Sequence, residues 1–308
     1  MGISRRSFVH KSAAMAMAGS VMQSWIGAAR ASAQEIPIGL ELYTVNAEMQ
    51  KDLDGTLRQV AAIGYRHVEL PGLYGRGARE LRKSLNSAGL TCESVMFPVE
   101  SGHGERNLTD ELPECIECAK ELGSKYIVCP VASVRGYAEP GFNMDAALAA
   151  LTLDDFKRNG DLFNRIGEQT RKAGIQFAYH NHNYEFRQFN GVTGYDELLR
   201  VTDAQLVAME MDCGWVKAAG RDPVRYLARY PGRFHLLHIK DLEAASPNTS
   251  GKMTSVEVGR GIVDWKSVFK AAQAAGVKAC FVEQEPPFLR PALESAKMSY
   301  EYLASLES

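Results

Sequence analysis

The chain has 308 residues, enough for one α/β barrel of about 250 residues and a short extension. Hydrophobic residues make up 45% of it and charged residues 23%, as in a soluble globular protein with a large core. The net charge of -2 indicates neither a basic nucleic-acid surface nor an acidic tail, so we expect no nucleic-acid partner.

The N-terminal segment differs in character from the rest. Arg5-Arg6 precedes an apolar run of small residues over 13–29, and Ala31-Ser32-Ala33 offers a cleavage site. This pattern is similar to a twin-arginine secretion signal. We predict a signal peptide at 1–33, a folded domain at 34–308, and a periplasmic mature protein without stable membrane insertion. An uncleaved membrane anchor is the alternative, but the apolar run is short and polar residues interrupt it.

From residue 36 onward, short β-rich runs alternate with longer amphipathic stretches, which predicts parallel strands joined by helices. We place strands at 38–43, 67–70, 91–97, 126–130, 176–180, 206–212, 234–239 and 280–283. The clearest helices are predicted at 53–63, 78–87, 154–172 and 265–275, and glycines 64, 89, 123, 174, 232 and 276 are predicted to end helices before strands. The sequence therefore predicts a (β/α)8 TIM barrel.

Two long irregular stretches, 132–143 and 243–256, directly follow predicted strands. They would lie over the C-terminal mouth of the barrel, the face that carries active sites in this architecture. Cys115 and Cys118 form a CxxC in a helical context without a second CxxC. We interpret them as a buried, inert pair and not as a zinc or redox site.

Ionisable residues are concentrated where the last four predicted strands end. The fifth strand ends in His180, the sixth in Glu210-Met211-Asp212, the seventh at His238 and the eighth at Glu283. Buried ionisable groups are costly unless they are paired or bind a metal. Converging Asp, His and Glu side chains predict a divalent metal site for Mn2+, Mg2+, Co2+ or Zn2+.

The chain resembles the sugar phosphate isomerase/epimerase, or xylose isomerase-like TIM-barrel, family over nearly all of its mature length. The segments that carry this resemblance are Tyr179-His180-Asn181-His182, Met211-Asp212, His238-Ile239-Lys240-Asp241, Gly259-Arg260-Gly261 and Val282-Glu283-Gln284, with 39–44 and 64–70. The resemblance implies one divalent ion held by a Glu, an Asp, a His and a second Glu from the last four strands.

Three of those places match Asp212, His238 and Glu283, but His180 stands where many epimerases have the first Glu. We predict that His180 is the fourth ligand, with Glu185 reaching back as the alternative. Trp215 is a second departure, because several relatives have a His there. Both changes weigh against an isomerase mechanism based on two opposed carboxylates.

The chemistry that the resemblance implies starts from an enediolate stabilised by the metal next to a sugar carbonyl. His180 is the predicted base, and Glu283 or Glu185 would return the proton. We expect an isomerase or epimerase. Loss of a β-leaving group would instead give a 3-keto-glycoside lyase or hydratase, and a non-catalytic carbohydrate-binding barrel is a third alternative.

Further residues near strand ends are assigned to the substrate. Tyr43, Glu69, His182 and Trp215 are candidate substrate contacts. Lys240 is a candidate catalytic and substrate-binding residue, although a salt bridge from it to Asp241 or Glu69 is equally open. Export of the protein favours an unphosphorylated sugar, because phosphorylated sugars are normally cytoplasmic. Assembly into a homo-oligomer stays open.

Overall fold

The computed structural model describes residues 36–101, 106–137, 139, 141–244 and 253–306. The predicted signal peptide at 1–33 lies outside the described residues. Within these ranges, no helix is both long and apolar enough to cross a membrane.

Eight parallel strands form the barrel. They are β1 (Ile38–Glu41), β2 (His67–Leu70), β3 (Thr91–Met96), β4 (Tyr126–Cys129), β5 (Gln176–His180), β6 (Val207–Asp212), β7 (Phe234–Ile239) and β8 (Ala279–Val282). Each strand pairs with its neighbours in chain order, and β8 pairs with β1, so the barrel is closed. The predicted fold class is confirmed.

Helices surround the strands, and their apolar sides pack on the barrel. The α-helices span Asn46–Lys51, Leu53–Ile63, Ala78–Ala88, Leu112–Leu122, Met144–Ala150, Leu153–Lys172, Gly194–Val201, Cys213–Ala218, Pro223–Arg229, Trp265–Ala275 and Ala292–Leu306, with 3-10 turns at Leu42–Val45 and Tyr184–Phe186. Two-residue strands pair as Gln188–Phe189 with Val192–Thr193 and as Asp241–Leu242 with Ser255–Val256.

The predicted boundaries agree closely with these elements. All six predicted stop glycines have a positive φ, between 75° and 134°, the conformation that glycine adopts at low cost. All six cysteines are buried and free, and Cys115 and Cys118 lie in the helix Leu112–Leu122 as predicted.

The first strand ends earlier than predicted. Glu41 Oε1 accepts a hydrogen bond from the backbone N–H of Tyr43 at 3.2 Å, and the chain turns into a 3-10 helix there. The expectation that the strand continues to Tyr43 is therefore wrong. Tyr43 instead lies 44% exposed at the barrel mouth.

Much of the barrel interior is apolar. A cluster of buried side chains fills it: Met96, Tyr126, Val128, Ala178, Ala208, Leu236, Ala279 and Phe281. Gly39 makes room for this packing, because a Cβ at that position would lie 2.8 Å from Cδ1 of Phe281. Apolar side chains therefore fill much of the interior, and the ionisable groups are gathered at the mouth.

Candidate metal centre

The polar residues of the mouth follow from the two-residue period of a strand. Side chains at i and i+2 point to the same face, so Glu210 and Asp212 lie above the interior residue Ala208 on β6. In the same way His238 follows Leu236 on β7. On both strands an apolar interior residue is thus followed, two residues later, by an ionisable one.

Four of these residues come together, as predicted from the sequence. His180, Asp212, His238 and Glu283 each offer one ligand atom, and these atoms all lie within 4.8 Å of one another. We call these four the ligand set. All four are buried, and His238 Nδ1 lies 2.7 Å from Glu283 Oε2.

Carboxylates hold the other nitrogen of both histidines. His180 Nδ1 lies 3.1 Å from Glu210 Oε2, and His238 Nε2 lies 2.6 Å from Glu69 Oε1. Ser94 Oγ in turn donates to Glu69 Oε2. Metal-binding histidines almost always donate their second N–H to a carboxylate or carbonyl, which fixes the ring and raises its basicity. The pattern turns Nε2 of His180 away from Glu210 and Nδ1 of His238 toward Glu283, the side on which an ion would bind.

Glu210 belongs to the site although the sequence predicted no role for it, and its i, i+2 relation to Asp212 is the signal that indicates one. Glu69 is a predicted substrate contact, but in the structure it contacts His238 and Ser94. Glu210 is fully buried, and burial raises its pKa well above the ordinary value, with Glu69 adding to the effect.

A lysine ammonium lies against the ligand set. Lys240 Nζ is 3.0 Å from Asp212 Oδ2 and 2.9 Å from Glu283 Oε2, and it also pairs with Glu285. Burial alone would lower the pKa of Lys240, but these carboxylates raise it, so the group is charged. The salt bridges to Asp241 or Glu69 that the sequence left open are not formed.

Asp241 anchors a loop. Its carboxylate accepts hydrogen bonds from the backbone N–H groups of Gly259, Gly261 and Val263 and from the indole of Trp265. Because these four donors occupy the carboxylate oxygens of Asp241, Lys240 pairs with Asp212 and Glu283 instead. The segment Gly259-Arg260-Gly261 is a tight bend that is held by the carboxylate of Asp241.

Electrostatics differ between the two carboxylates of the ligand set. Burial raises the pKa of Asp212 to about 6, although Lys240 opposes the rise. Burial would also raise the pKa of Glu283, but Lys240 and His238 hold it well below its ordinary value. Glu283 is therefore an anion at neutral pH.

The residues present fit a divalent ion. Two imidazoles and two carboxylates form a donor set suited to Zn2+, Mn2+ or Co2+. The ammonium of Lys240, 3.0 Å or less from both carboxylates of the set, shows that this position favours positive charge.

Glu185 is not part of this cluster. Both of its carboxylate oxygens accept the backbone N–H of His182 at 3.0 Å, and Oε1 also accepts the hydroxyl of Tyr179 at 2.7 Å. Burial raises the pKa of Glu185 to about 7. The carboxylate thus orders the loop after β5, and of the two candidates for fourth ligand it is His180 that faces the other three residues.

The remaining predicted contacts surround the mouth. The ring centroid of His182 lies 5.1 Å from that of His180 and 5.9 Å from that of Trp215. Lys240 Nζ lies 4.9 Å from the centroid of the Trp215 ring. His182 Nδ1 and Trp215 Nε1 are buried without a hydrogen-bond partner among the described residues. Burial lowers the pKa of His182 to about 4, so its imidazole is neutral at pH 7.

Comparison with known proteins places this site in a family context. The chain is 27% identical over 268 residues to an inosose dehydratase of Geobacillus thermodenitrificans, covering 80% of this chain and 87% of that protein. A crystal structure of a sugar phosphate isomerase/epimerase from Parabacteroides distasonis has a TM-score of 0.68 and 28% identity, covering 87% of this chain and 98% of the other.

A third similar structure is that of the IOLI protein with a bound zinc atom. It has a TM-score of 0.65 and 16% identity, and the match covers 88% of this chain and 98% of the other, a likeness of fold. The model of one family, described as xylose isomerase-like TIM barrel, matches residues 57–306. The chain therefore belongs to the xylose isomerase-like TIM barrel family.

Proposed function

We propose that this protein is a metal-dependent lyase that acts on an oxidised, unphosphorylated sugar. The sugar carbonyl makes the neighbouring C–H bond acidic, and the enzyme removes that proton together with an oxygen substituent on the next carbon. The observation that carries this proposal is the buried ammonium of Lys240, 2.9 Å from Glu283 and 3.0 Å from Asp212. An acid held beside the ligand set suits the protonation of a leaving oxygen. The similarity to inosose dehydratases supports elimination.

His180, Asp212, His238 and Glu283 would hold the ion. When bound, it supplies Lewis-acid polarisation of the substrate carbonyl, which acidifies the neighbouring C–H bond. The IOLI protein, which has the same fold, binds a zinc atom, and this is consistent with such an ion here. His180 then acts as a ligand and not as the base predicted from the sequence, because Glu210 occupies Nδ1 and the ion would occupy Nε2.

His182 is the base that the geometry favours. Its imidazole is neutral, and Nδ1 has no hydrogen-bond partner among the described residues. The C–H proton passes to His182, and the electron pair forms the C=C bond as the neighbouring C–O bond breaks. Lys240 gives its proton to the departing oxygen. Trp215, beside both His182 and Lys240, would cover the apolar face of the sugar ring.

Isomerisation or epimerisation is the second candidate, and the similarity to the Parabacteroides isomerase/epimerase favours it. Returning a proton to the opposite face needs a second acid across the ring. The opposed fifth-strand carboxylate is replaced here by His180, and Glu185 is held by Tyr179 and the backbone of His182. The described site therefore supports elimination better.

The test is turnover of a panel of free ketoses, inososes and 3-keto-glycosides in D2O, with protein loaded with Mn2+ or Zn2+ and with chelated protein. We expect chelator-sensitive formation of an enone, detected by its ultraviolet absorption. Deuterated isomers or epimers without an enone would favour the second candidate. Loss of folding together with the metal, and no turnover, would favour a carbohydrate-binding barrel.

A matched pair of variants tests the role of Lys240. Lys240→Met should bind metal but lose at least a hundredfold in kcat, because the leaving oxygen is no longer protonated. Lys217→Met, in the neighbouring helix Cys213–Ala218, is the control and should keep wild-type turnover. Equal kcat in the two variants would contradict the assignment.

We also propose export by the twin-arginine route to the periplasm, supported by the sequence pattern at 1–33. Such a location suits an unphosphorylated substrate. Detection of the protein in the periplasmic fraction, and its retention in the cytoplasm after Arg5→Lys and Arg6→Lys, would test the proposal.

A further inference from the structure

A second feature of the mouth is a cavity of about 660 Å3 above β1, β2 and β3, within the range of roughly 300–1,000 Å3 of ligand sites. We call it the β1–β3 cavity. Its walls come from the segments that follow these strands, and they include Tyr43, Gln50, Leu73, Tyr74, Met96 and Phe97.

The cavity adjoins the candidate metal centre. Ser94 and Met96 are two residues apart on β3, so their side chains point to the same face, and Met96 lies one step closer to the mouth. Ser94 Oγ donates to Glu69, and Glu69 Oε1 contacts His238 of the ligand set. The cavity therefore begins one layer above the carboxylate that holds His238.

The walls suit a neutral ring. Tyr43 and Tyr74 offer aromatic surface, with the buried ring of Phe97 behind them, and Tyr74 is fixed by donating its hydroxyl to Leu42 O at 3.3 Å. Sugar rings bind through apolar C–H faces on aromatic side chains together with polar partners, and the amide of Gln50 is such a partner.

The charges on the walls are balanced. Arg76 pairs with Glu80 at 2.8 Å, and Arg106 faces the same cavity as Glu111. Among the described residues, these charges leave no excess of either sign to select a phosphate or a carboxylate ligand. The lining thus favours an uncharged group.

We infer that the β1–β3 cavity binds a neutral second ring attached to the sugar at the metal centre, so that the substrate is a glycoside and not a free monosaccharide. This inference rests on the proposed function for the placement of the first ring. The elimination would then release the second ring from this cavity as the leaving group.

The experiment compares two ligands that differ by one ring, a 3-keto-disaccharide and the methyl glycoside of the same keto sugar. Binding of the unoxidised parent compounds to metal-loaded protein is measured by calorimetry, and kcat/KM is measured with the keto forms. We expect the disaccharide to be preferred at least tenfold in both measurements. Tyr43→Ala should reduce that preference about tenfold, the effect of losing one stacked aromatic ring.

Gln50→Ala is a second variant of the cavity wall, and Lys51→Ala is the matched control, because Lys51 is exposed on the same helix and does not line the cavity. Unfolding midpoints near wild type would show that each variant folds. Equal affinity of wild type for both ligands, no binding of the disaccharide, or a preference that survives Tyr43→Ala and Gln50→Ala would overturn the inference.

The two proposals fail in different ways. A disaccharide preference in binding that depends on Tyr43, without turnover of any keto sugar, would leave the cavity as assigned and refute the lyase. Chelator-sensitive elimination with equal kcat/KM for the two ligands would support the lyase and refute the cavity.

Discussion

Replacement of Glu185 by Gln tests whether this carboxylate is a structural group of the loop after β5. The side chain is fully buried and accepts hydrogen bonds from Tyr179 and from the backbone of His182. Gln keeps the size of the side chain but cannot titrate. The amide NH2 of Gln would face the hydroxyl of Tyr179 or the backbone N–H of His182, so one buried hydrogen bond would be lost. We therefore expect the free energy of unfolding to fall by about 1–3 kcal/mol at pH 5.

The pH dependence of that loss follows from the pKa of Glu185, which burial raises from 4.5 to about 7. The folded state therefore binds more protons than the unfolded state between these two pH values. The stabilisation of wild type by the protonated group is complete below pH 4.5 and is lost as the pH rises through 7. At 1.36 kcal/mol per pKa unit, the loss amounts to about 3 kcal/mol.

The Gln variant does not share this loss, so the difference in the free energy of unfolding should move by about 2–3 kcal/mol in its favour from pH 5 to pH 8. The variant should then be about as stable as wild type, or more stable, at pH 8. Urea unfolding of both proteins in chelator, at half-unit steps of pH, measures the difference. Bound metal, determined separately, should be the same in both proteins. A stability difference that stays constant with pH, or a loss of metal in the Gln variant, would refute the reasoning.

Three other substitutions probe the metal centre. His180→Ala should abolish stoichiometric metal binding, as measured by elemental mass spectrometry; a full complement of metal would show that His180 is not a ligand. Glu69→Gln should weaken metal affinity by about 10–100-fold in competition with a chelator, because it stops fixing the His238 ring; unchanged affinity would exclude this role. Gly214→Ala places a Cβ 2.8 Å from the carbonyl oxygen of Lys240 and 2.9 Å from its Cγ, so kcat should fall at least tenfold with metal retained. Wild-type kcat would show that the position of Lys240 is not critical.

Most of the barrel could be predicted from the chain because its signals are local. The alternation of β-rich runs and amphipathic helices, ended by glycines such as Gly89 and Gly123, depends on residues close in sequence. The end of β1 could not be predicted in this way. Glu41 bonds to the backbone of Tyr43 and turns the chain, although Leu42 and Tyr43 both favour strands.

The ligand set could be predicted because parallel strands bring their ends to one place in a barrel. The pairings around it could not, because they depend on distances between strands far apart in sequence. Several carboxylates could reach Lys240, and the sequence does not say which of them it pairs with. The structure shows that Lys240 pairs with Asp212 and Glu283, whereas Asp241 accepts hydrogen bonds from a loop. Glu210 is harder to predict, because Asp212 alone already accounts for an ionisable residue at this strand end.

A neutral imidazole at position 180 is compatible with the nearby carboxylate of Glu210, whereas a second carboxylate there is not. A carboxylate at position 180, as the family resemblance implies for many epimerases, would lie close to Glu210, whose Oε2 is now 3.1 Å from His180 Nδ1. Two anions at that separation in a buried site repel strongly. An imidazole there accepts the ion through one nitrogen and donates to Glu210 through the other. The ligand set then carries two negative charges, which match one divalent ion, and Lys240 stays charged through its contact with Glu285. In the proposed elimination, His180 in place of one carboxylate removes an opposed acid-base partner, and the ammonium of Lys240 would serve as the proton donor.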